Sequence, residues 1–347
     1  MTERSARPSL QTIADIAGVS RATVSLALRN HRSIPEKTRE RIRKIAQEVG
    51  YRPNPMVSSL MAHLKSLRPA PDAGPIAFLT CFPERNGWRQ YSTFVRYHAG
   101  AVIRAQQLGY RIEEFWLKEP GMTRKKMEKI LHHRGIEGIL VAPLPSSRGH
   151  LSLRLDSFAV ALLGDTVVRP AFHRASAHTE DGLRLAMREM HHLGYRRIGL
   201  ALHLSQDKRT DYSWISSYAG LQQFQTDKER IPIFFLEELN ANQFAAWLKE
   251  WQPDAVLSGN SQILSKLAKA GVSVPRDLGV AVLDRSPDDA GVAGIDQRPE
   301  VVGFAAVDLI VSQINNNERG IPSDCKLVQT KCAWVPGDTL QKVRPTF

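Results

Sequence analysis

The side chains best placed to do chemistry are cations near the start of the chain. Residues 1–69 hold thirteen Lys and Arg against five Asp and Glu, a net +8, while the other 278 residues share the remaining +4 of the chain's +12. Concentrated positive charge attracts a polyanion, either nucleic acid or an acidic membrane surface. No G-x-S-x-G, P-loop or G-x-G-x-x-G run occurs, and no nucleophile–base pair or acid pair stands out, so no enzyme is expected. The cysteines (Cys81, Cys325, Cys332) are odd in number and lack C-x-x-C spacing. They read as buried, reduced thiols of a cytoplasmic protein rather than disulfides or zinc ligands. His132-His133 and His191-His192 are neighbour pairs. Neighbours point about 100° apart on a helix, which suits surface positions rather than a metal site. No metal or cofactor is expected.

The elements that must carry the cations come next. The chain has 347 residues, 42% apolar and 24% charged, which suits two or three globular domains. The start, MTERSARPSLQ, has no apolar core of a secretory signal, and no apolar run nears the ~18–20 residues that a membrane helix needs. A cytoplasmic location is the expectation.

Ser9 can cap a helix with Leu10, Ile13, Ala14 and Ala17 at steps of three and four. Gly18 allows the left-handed residue that ends a helix. Ser20 can cap a second helix, with Val24, Ala27 and Leu28 facing inward. Two short helices joined by a tight glycine turn form a helix-turn-helix, whose second helix enters the major groove. A third helix is expected from Pro35, with Thr38, Ile42, Ile45, Ala46 and Val49 along one stripe and Gly50 as its stop. An ordinary basic three-helix bundle fits this stretch as well.

The residues that follow extend the pattern. AGVSRATVS, then KTRERI, then GYRPN and a short Ser/Ala/Leu segment ending near Leu64 stand in the order and spacing of the LacI/GalR family, which the chain resembles. The resemblance implies a DNA-binding domain over residues 1–54, a hinge helix over 55–66 and a linker over 67–75. It implies base readout by Arg21, Ala22 and Leu26, with phosphate contacts from Ser20, Thr23 and Ser25. Further DNA contacts are implied at Arg29, Thr38, Tyr51, Asn54 and Val57. Leu60 takes the position of a leucine wedge in the minor groove, an insertion that kinks a duplex. Arg21 suits guanine, whereas Leu26 can touch only a thymine methyl, so an unusual half-site is expected.

Beyond the Pro-rich stretch KSLRPAPDAGP, strand-like and helix-like segments alternate from Ile76 onward, which means parallel sheets with crossover helices. The run is too long for one sheet, and two lobes are expected. The resemblance, weakest over 76–170, implies a core of two Rossmann-like lobes, built as in periplasmic binding proteins, over residues 76–347. The N-lobe is expected to hold 76–176 and 297–325 and the C-lobe 177–296 and 326–347, with crossings near Ala177, Asp296 and Lys326. It also implies an interlobe site for a small, carbohydrate-like effector. Asn260 and Asp284, each after a strand, match effector positions, and each has a structural alternative, a helix cap or a turn brace. Three positions depart from the pattern. Ser217 replaces a clamping arginine, for which Arg209 is a candidate substitute; Gly164 replaces an aspartate, and Pro299 an aromatic. Trp88 and Trp214, in loop-like context, are expected as cleft candidates, the other tryptophans as core.

The resulting expectation is a homodimeric, operator-binding regulator, most simply a repressor, with an N-terminal all-α helix-turn-helix bundle and an α/β core. The final PGDTLQKVRPTF has no apolar heptad, so a tetramerising coiled coil is not expected. A regulator with a degenerate pocket, or one answering to a protein partner, is the alternative. A solute-binding transport protein fits the core alone.

Overall fold

The computed structural model describes residues 8–28, 33–51, 73–236 and 241–343. Its head is three helices, α1 (Leu10–Ala17), α2 (Arg21–Leu28) and α3 (Glu36–Glu48). Ser9 caps α1, accepting from the Thr12 N–H at 3.2 Å, while Thr12 accepts from the Ser9 N–H in return. Gly18 ends α1 at φ +64° and returns its N–H to the carbonyls of Ala14 and Asp15. Ser20 then accepts from the Thr23 N–H at 3.1 Å and starts α2. Ile13, Val24, Ala27 and Ile42, all fully buried, form the small core. Arg41 of α3 donates to the Ala17 carbonyl at 2.9 Å, placing a cation at the negative end of α1.

Among the described residues the core has eight further α-helices. They are α4 (Ser92–Gln107), α5 (Arg124–His133), α6 (Thr179–His192), α7 (Leu204–Arg209), α8 (Ser213–Gln222), α9 (Ala241–Trp251), α10 (Gln262–Lys269) and α11 (Pro299–Asn316). Its strands run from β1 (Pro75–Thr80), β2 (Arg111–Trp116), β3 (Gly138–Val141), β4 (Gly149–His150), β5 (Ala159–Leu163), β6 (Val167–Arg169) and β7 (His173–Ala177) to a second group. That group is β8 (Ile198–Leu202), β9 (Phe234–Phe235), β10 (Ala255–Ser258), β11 (Gly279–Val282), β12 (Gly294–Asp296), β13 (Leu327–Thr330) and β14 (Ala333–Val335).

The first sheet has the order β13-β7-β5-β3-β1-β2 and is wholly parallel. The second is β14-β12-β11-β10-β8-β9, parallel except where β14 runs against β12. Central strands such as PIAFLT and AVALL are buried at every position. Helices cover both of their faces, so the alternation of a half-exposed strand is absent. The edge strand β2, RIEEFW, is nowhere fully buried. β4 and β6 form a separate two-stranded ribbon.

The chain passes between lobes at His178, at Gln297–Arg298 and at Lys331–Cys332. The third crossing corrects the expectation of one near Lys326. Lys326 leads directly into β13, which pairs in parallel with β7, so 327–330 is an edge strand of the first lobe. Its KLVQTK sequence is half-exposed throughout and carries a weak strand signal. Helix α11 was also absent from the sequence reading. Its buried residues, among them Val302, Ala306, Val307 and Ile310, follow one stripe with Asp308 and Ser312 exposed opposite, but apolar Val301, Phe304, Leu309 and Val311 flank that stripe and blur the pattern in the sequence.

Helix α11 belongs to the first lobe, where it crosses α4 with the two backbones in touch. A Cβ on Gly100 would lie 2.1 Å from the Glu300 carbonyl oxygen, and one on Gly303 would lie 2.3 Å from that of Tyr97. Neither glycine can gain a methyl unless the helices part. Gly303→Ala is expected to destabilise the chain by about 1–3 kcal/mol in urea unfolding. An unchanged midpoint would mean that the helices do not meet this closely.

Candidate functional site

The head presents one end of α2 outward. Arg21 and Ala22, in its first turn, are exposed, while Val24 and Ala27 hold the opposite face in the core. Ser20 is exposed, and its hydroxyl lies 2.9 Å from that of Thr23. Both hydroxyls therefore stand at the helix start, with Ser20 also serving as its cap. Ser25 and Leu26 are half-buried, as is Thr38 on α3. Tyr51 packs against the head's core. Arg29, Asn54, Val57 and Leu60 lie outside the described residues.

The second candidate site is the cleft between the carboxyl ends of the two sheets, where open α/β folds bind ligands. On the first lobe a chain of aromatic rings follows β1. Phe82 lies 5.8 Å from Tyr91 and 6.1 Å from Phe94, and Phe94 stacks on Tyr97 at 6.2 Å. From the second lobe, α7 sends Arg209 across. Its guanidinium sits 5.3 Å from the Phe94 ring centroid and donates to the carbonyls of Leu144 (2.9 Å), Pro145 (3.2 Å) and Ser146 (3.2 Å). Burial pulls the pKa of Arg209 down, and the neighbouring Tyr91, Tyr97 and Asp284 oppose that.

Further contacts close the same gap. Thr93 donates to both Asp284 carboxylate oxygens, at 3.3 and 3.4 Å. The Ser147 hydroxyl donates to the Ser205 carbonyl at 3.0 Å, and Arg148 pairs with Asp211. The loop that carries Arg209 is fixed by Asp207, which is fully buried. Its carboxylate accepts from the N–H groups of Trp214 (3.0 Å) and Ile215 (3.2 Å) at the start of α8, and from the Thr210 hydroxyl at 3.0 Å. An anion there complements the positive helix end.

The expected effector positions fall in different settings. Asp284 stands in the cleft, half-buried, between Thr93 and the charges of Arg96 and Asp289. Burial pushes its carboxyl up to about 6, with the Thr93 bond and Arg96 opposing. Asn260 accepts from the Gln262 N–H at 3.1 Å and so caps the turn into α10. Ser217 is half-buried in the second turn of α8, one turn beyond the cleft end of that helix. Arg209 is the arginine that reaches the cleft. Gly164 has φ +66°, and Pro299 is buried at the start of α11.

Two expectations are corrected. Trp88 is fully buried against Phe78 in the first lobe, and Trp214 is buried in the second, so neither lines the cleft. Cys325 is exposed, where a buried thiol was expected; all three cysteines are unbridged. The cleft residues that sequence reasoning missed are Tyr91, Thr93, Phe94 and Tyr97. Their Y-x-x-F-x-x-Y spacing was a usable signal, one aromatic per helical turn.

Residues 9–54 match the bacterial regulatory proteins of the lacI family, and residues 187–340 match a periplasmic binding protein-like domain. The sucrose operon repressor of Vibrio alginolyticus is 30% identical over 71 residues, a match covering 20% of this chain and 76% of that sequence. The chain belongs to the LacI family. The family's HTH-type transcriptional regulator IdnR of Escherichia coli (strain K12) is 47% identical over 51 residues, a match that spans 15% of each protein. Among solved structures, a transcriptional regulator CelR–cellobiose complex aligns over 96% of this chain and all of that one, at TM-score 0.55 and 16% identity. The Lac repressor dimer bound to operator and the anti-inducer ONPF aligns over 97% of this chain and all of that one, at TM-score 0.53 and 18% identity. These two likenesses are of fold. Among the described residues of this LacI-family chain, no helix is long and apolar enough to cross a membrane.

The Asp284 shift has a definite sign. Its folded pKa of about 6 lies above the usual 3.8, so the folded chain binds more protons than the unfolded chain between those values. Stability from this group is therefore lost as pH rises from about 4 to 6. Asp284→Asn is expected to gain stability over the wild type at pH 7 and none at pH 3.5, read by thermal unfolding. Equal differences at the two pH values would show that Asp284 ionises normally.

Proposed function

We propose that this chain is a sequence-specific transcriptional repressor that acts as a cytoplasmic homodimer. A small, carbohydrate-like effector held between the lobes controls it, and it catalyses no reaction. The observation that carries this reading is the capped α2, with Arg21 and Ala22 exposed at its start, within a head that matches the lacI family. A basic head and a groove-sized helix supply the two parts of DNA recognition, phosphate attraction and base contact. Ser20, Thr23 and Ser25 serve the first, and Arg21 the second. In this reading a hinge helix over residues 55–66, with Leu60 as its wedge, and a linker over 67–75 lie between head and core.

Pairing of two chains has support on α4. Val95, Ala99 and Ile103 follow one another at steps of four and are all exposed. An apolar stripe of this kind on a helix favours burial against a partner. Effector control has support in the cleft. Aromatic faces suit the C–H faces of a sugar ring, and Asp284 can accept two hydroxyls. Ligand binding there shifts the lobes, and the shift reaches the paired hinges. A second reading rests on Arg209. Its three bonds tie the lobes across the gap through protein groups alone, which suits a regulator answering to a protein partner.

Selection of bound duplexes from a random pool is expected to enrich a pseudo-palindrome, with the two half-sites set by the two heads. An unenriched pool would remove the operator-binding reading. Arg21→Ala is expected to lower affinity for that site roughly 10- to 100-fold and to relax one base pair in each half. Leu60→Ala is expected to weaken specific binding while leaving the melting of the core unchanged. Undiminished affinity would show that Leu60 is no wedge.

A further inference from the structure

A cavity of about 520 Å³ lies in the first lobe, apart from Asp284 and the aromatic rings but sharing one wall with the seat of Arg209. It opens beyond the carboxyl ends of β1, β2 and β3. Its volume falls within the range of small-molecule sites. The floor is apolar: Leu144 and Leu151 are buried. Beside them lies Cys81, nine-tenths buried, whose thiol has no hydrogen-bond partner among the described residues.

The rim differs from the floor. Lys118, Arg124 and His150 line it and are exposed, with Glu119 as the one carboxylate in the lining. Among the described residues neither Lys118 nor Arg124 has an ion-pair partner. Burial pushes the Cys81 thiol up to about 11, with the charge of Lys118 opposing. Arg124 opens α5, and the first turn of that helix reads Arg124-Lys125-Lys126, with no acid. Cations at a helix start oppose its dipole, and an anion beside Arg124 would relieve that. Thr123 caps α5 through the Lys126 N–H.

The wall shared with the interlobe gap adds a consequence. Leu144 and Ser146 line the cavity, and their carbonyls, with that of Pro145, are the acceptors of Arg209. The Leu144 N–H donates to the Thr166 hydroxyl at 2.8 Å, and Gly149 donates to the Thr166 carbonyl at 2.8 Å, so the wall is a braced unit. A Cβ on Gly149 would lie 2.9 Å from the Leu144 side chain, so the wall has little slack.

We propose that this cavity is a second ligand site, for a small organic oxyanion whose carboxylate or phosphate meets Lys118 and Arg124 and whose carbon body lies on Leu144, Leu151 and Cys81. Its occupant stiffens the wall that accepts Arg209 and thereby favours closed lobes. The site stands whether or not the cleft takes a sugar, because its residues are separate from Asp284 and the aromatic rings.

The test is calorimetric titration of the full chain with glucose 6-phosphate, glycerol 3-phosphate, gluconate and glucose, in wild type, Lys118→Gln/Arg124→Gln and Asp284→Ala. Both rim residues are exposed, so the double variant is expected to fold as the wild type does, checked by its melting temperature. At least one oxyanion is expected to bind wild type and Asp284→Ala alike, and to lose roughly 10- to 100-fold in affinity in the double variant. A phosphate-only response assigns the phosphate class, and a gluconate response the carboxylate class. Binding of none of the acids, binding that the double variant retains, binding matched by sulfate, or binding lost in Asp284→Ala would each overturn the proposal.

Discussion

Three crossings of the chain, set side by side, are the constraint on which the core depends. His178 donates its N–H to the Thr330 carbonyl at 2.9 Å, and the Cys332 thiol lies 3.6 Å from the His178 carbonyl, so the first and third crossings are bonded neighbours. The second is held by Arg96, which pairs with Asp296 at 3.0 Å on one side and with Glu300 at 2.6 Å on the other. Asp296 in turn accepts from the Arg298 N–H at 2.8 Å, with Arg298 at φ +52°. Three parallel ties resist twisting and sliding, and leave bending as the easy relative motion. Hinges of this type absorb a change in a few backbone angles.

Bending is opposed by the polar contacts across the gap. Arg209, Ser147 and Arg148 bridge one side, and Thr93 with Asp284 bridges the other. These groups exchange water for one another when the lobes meet, so their net worth is small beside the burial that holds each lobe together. That imbalance lets a ligand tip the balance between the lobes without unfolding either. Asp207 matters to this balance although it lies away from the gap. It fixes the turn from α7 into α8 and so determines where Arg209 points.

The sequence was most legible where one periodicity and one cap coincide. Ser9, Gly18 and Ser20 mark the head because each has a backbone group to satisfy and a side chain, or a missing one, that satisfies it. The buried strands AVALL, IGLAL and GVAV read clearly because both faces are covered. The legible signal failed at β13, where a short, half-exposed edge strand contributes only four residues to its sheet. It failed at α11 because the half-buried Val301, Phe304, Leu309 and Val311 flank the buried stripe and blur its edges. In the cleft, Asp284 was anticipated, and the aromatic row was not. Phe94 and Tyr97 serve the lobe's core and the gap together, and a core role is what aromatic residues ordinarily indicate. Arg209 emerged only as a substitute for a missing arginine, because its reach is set by a turn whose Asp211 and Tyr212 both have positive φ.

The interleaving of the lobes bears on how the protein is made. Residues up to Ala177 supply five strands of the first sheet, yet α11 and β13 leave the ribosome only after strands β8 to β12 of the second lobe have been synthesised. Until then α4 lacks the helix that meets it at Gly100, and β7 presents an unpaired edge. The second lobe waits too, since β14 comes last. Completion of both lobes thus converges on the final stretch of translation, whereas the head needs only neighbours within about forty residues. Long-range closure of this kind slows folding and prolongs exposure of apolar surface. A DNA-binding head can accordingly be finished while the part that governs it is still an open sheet.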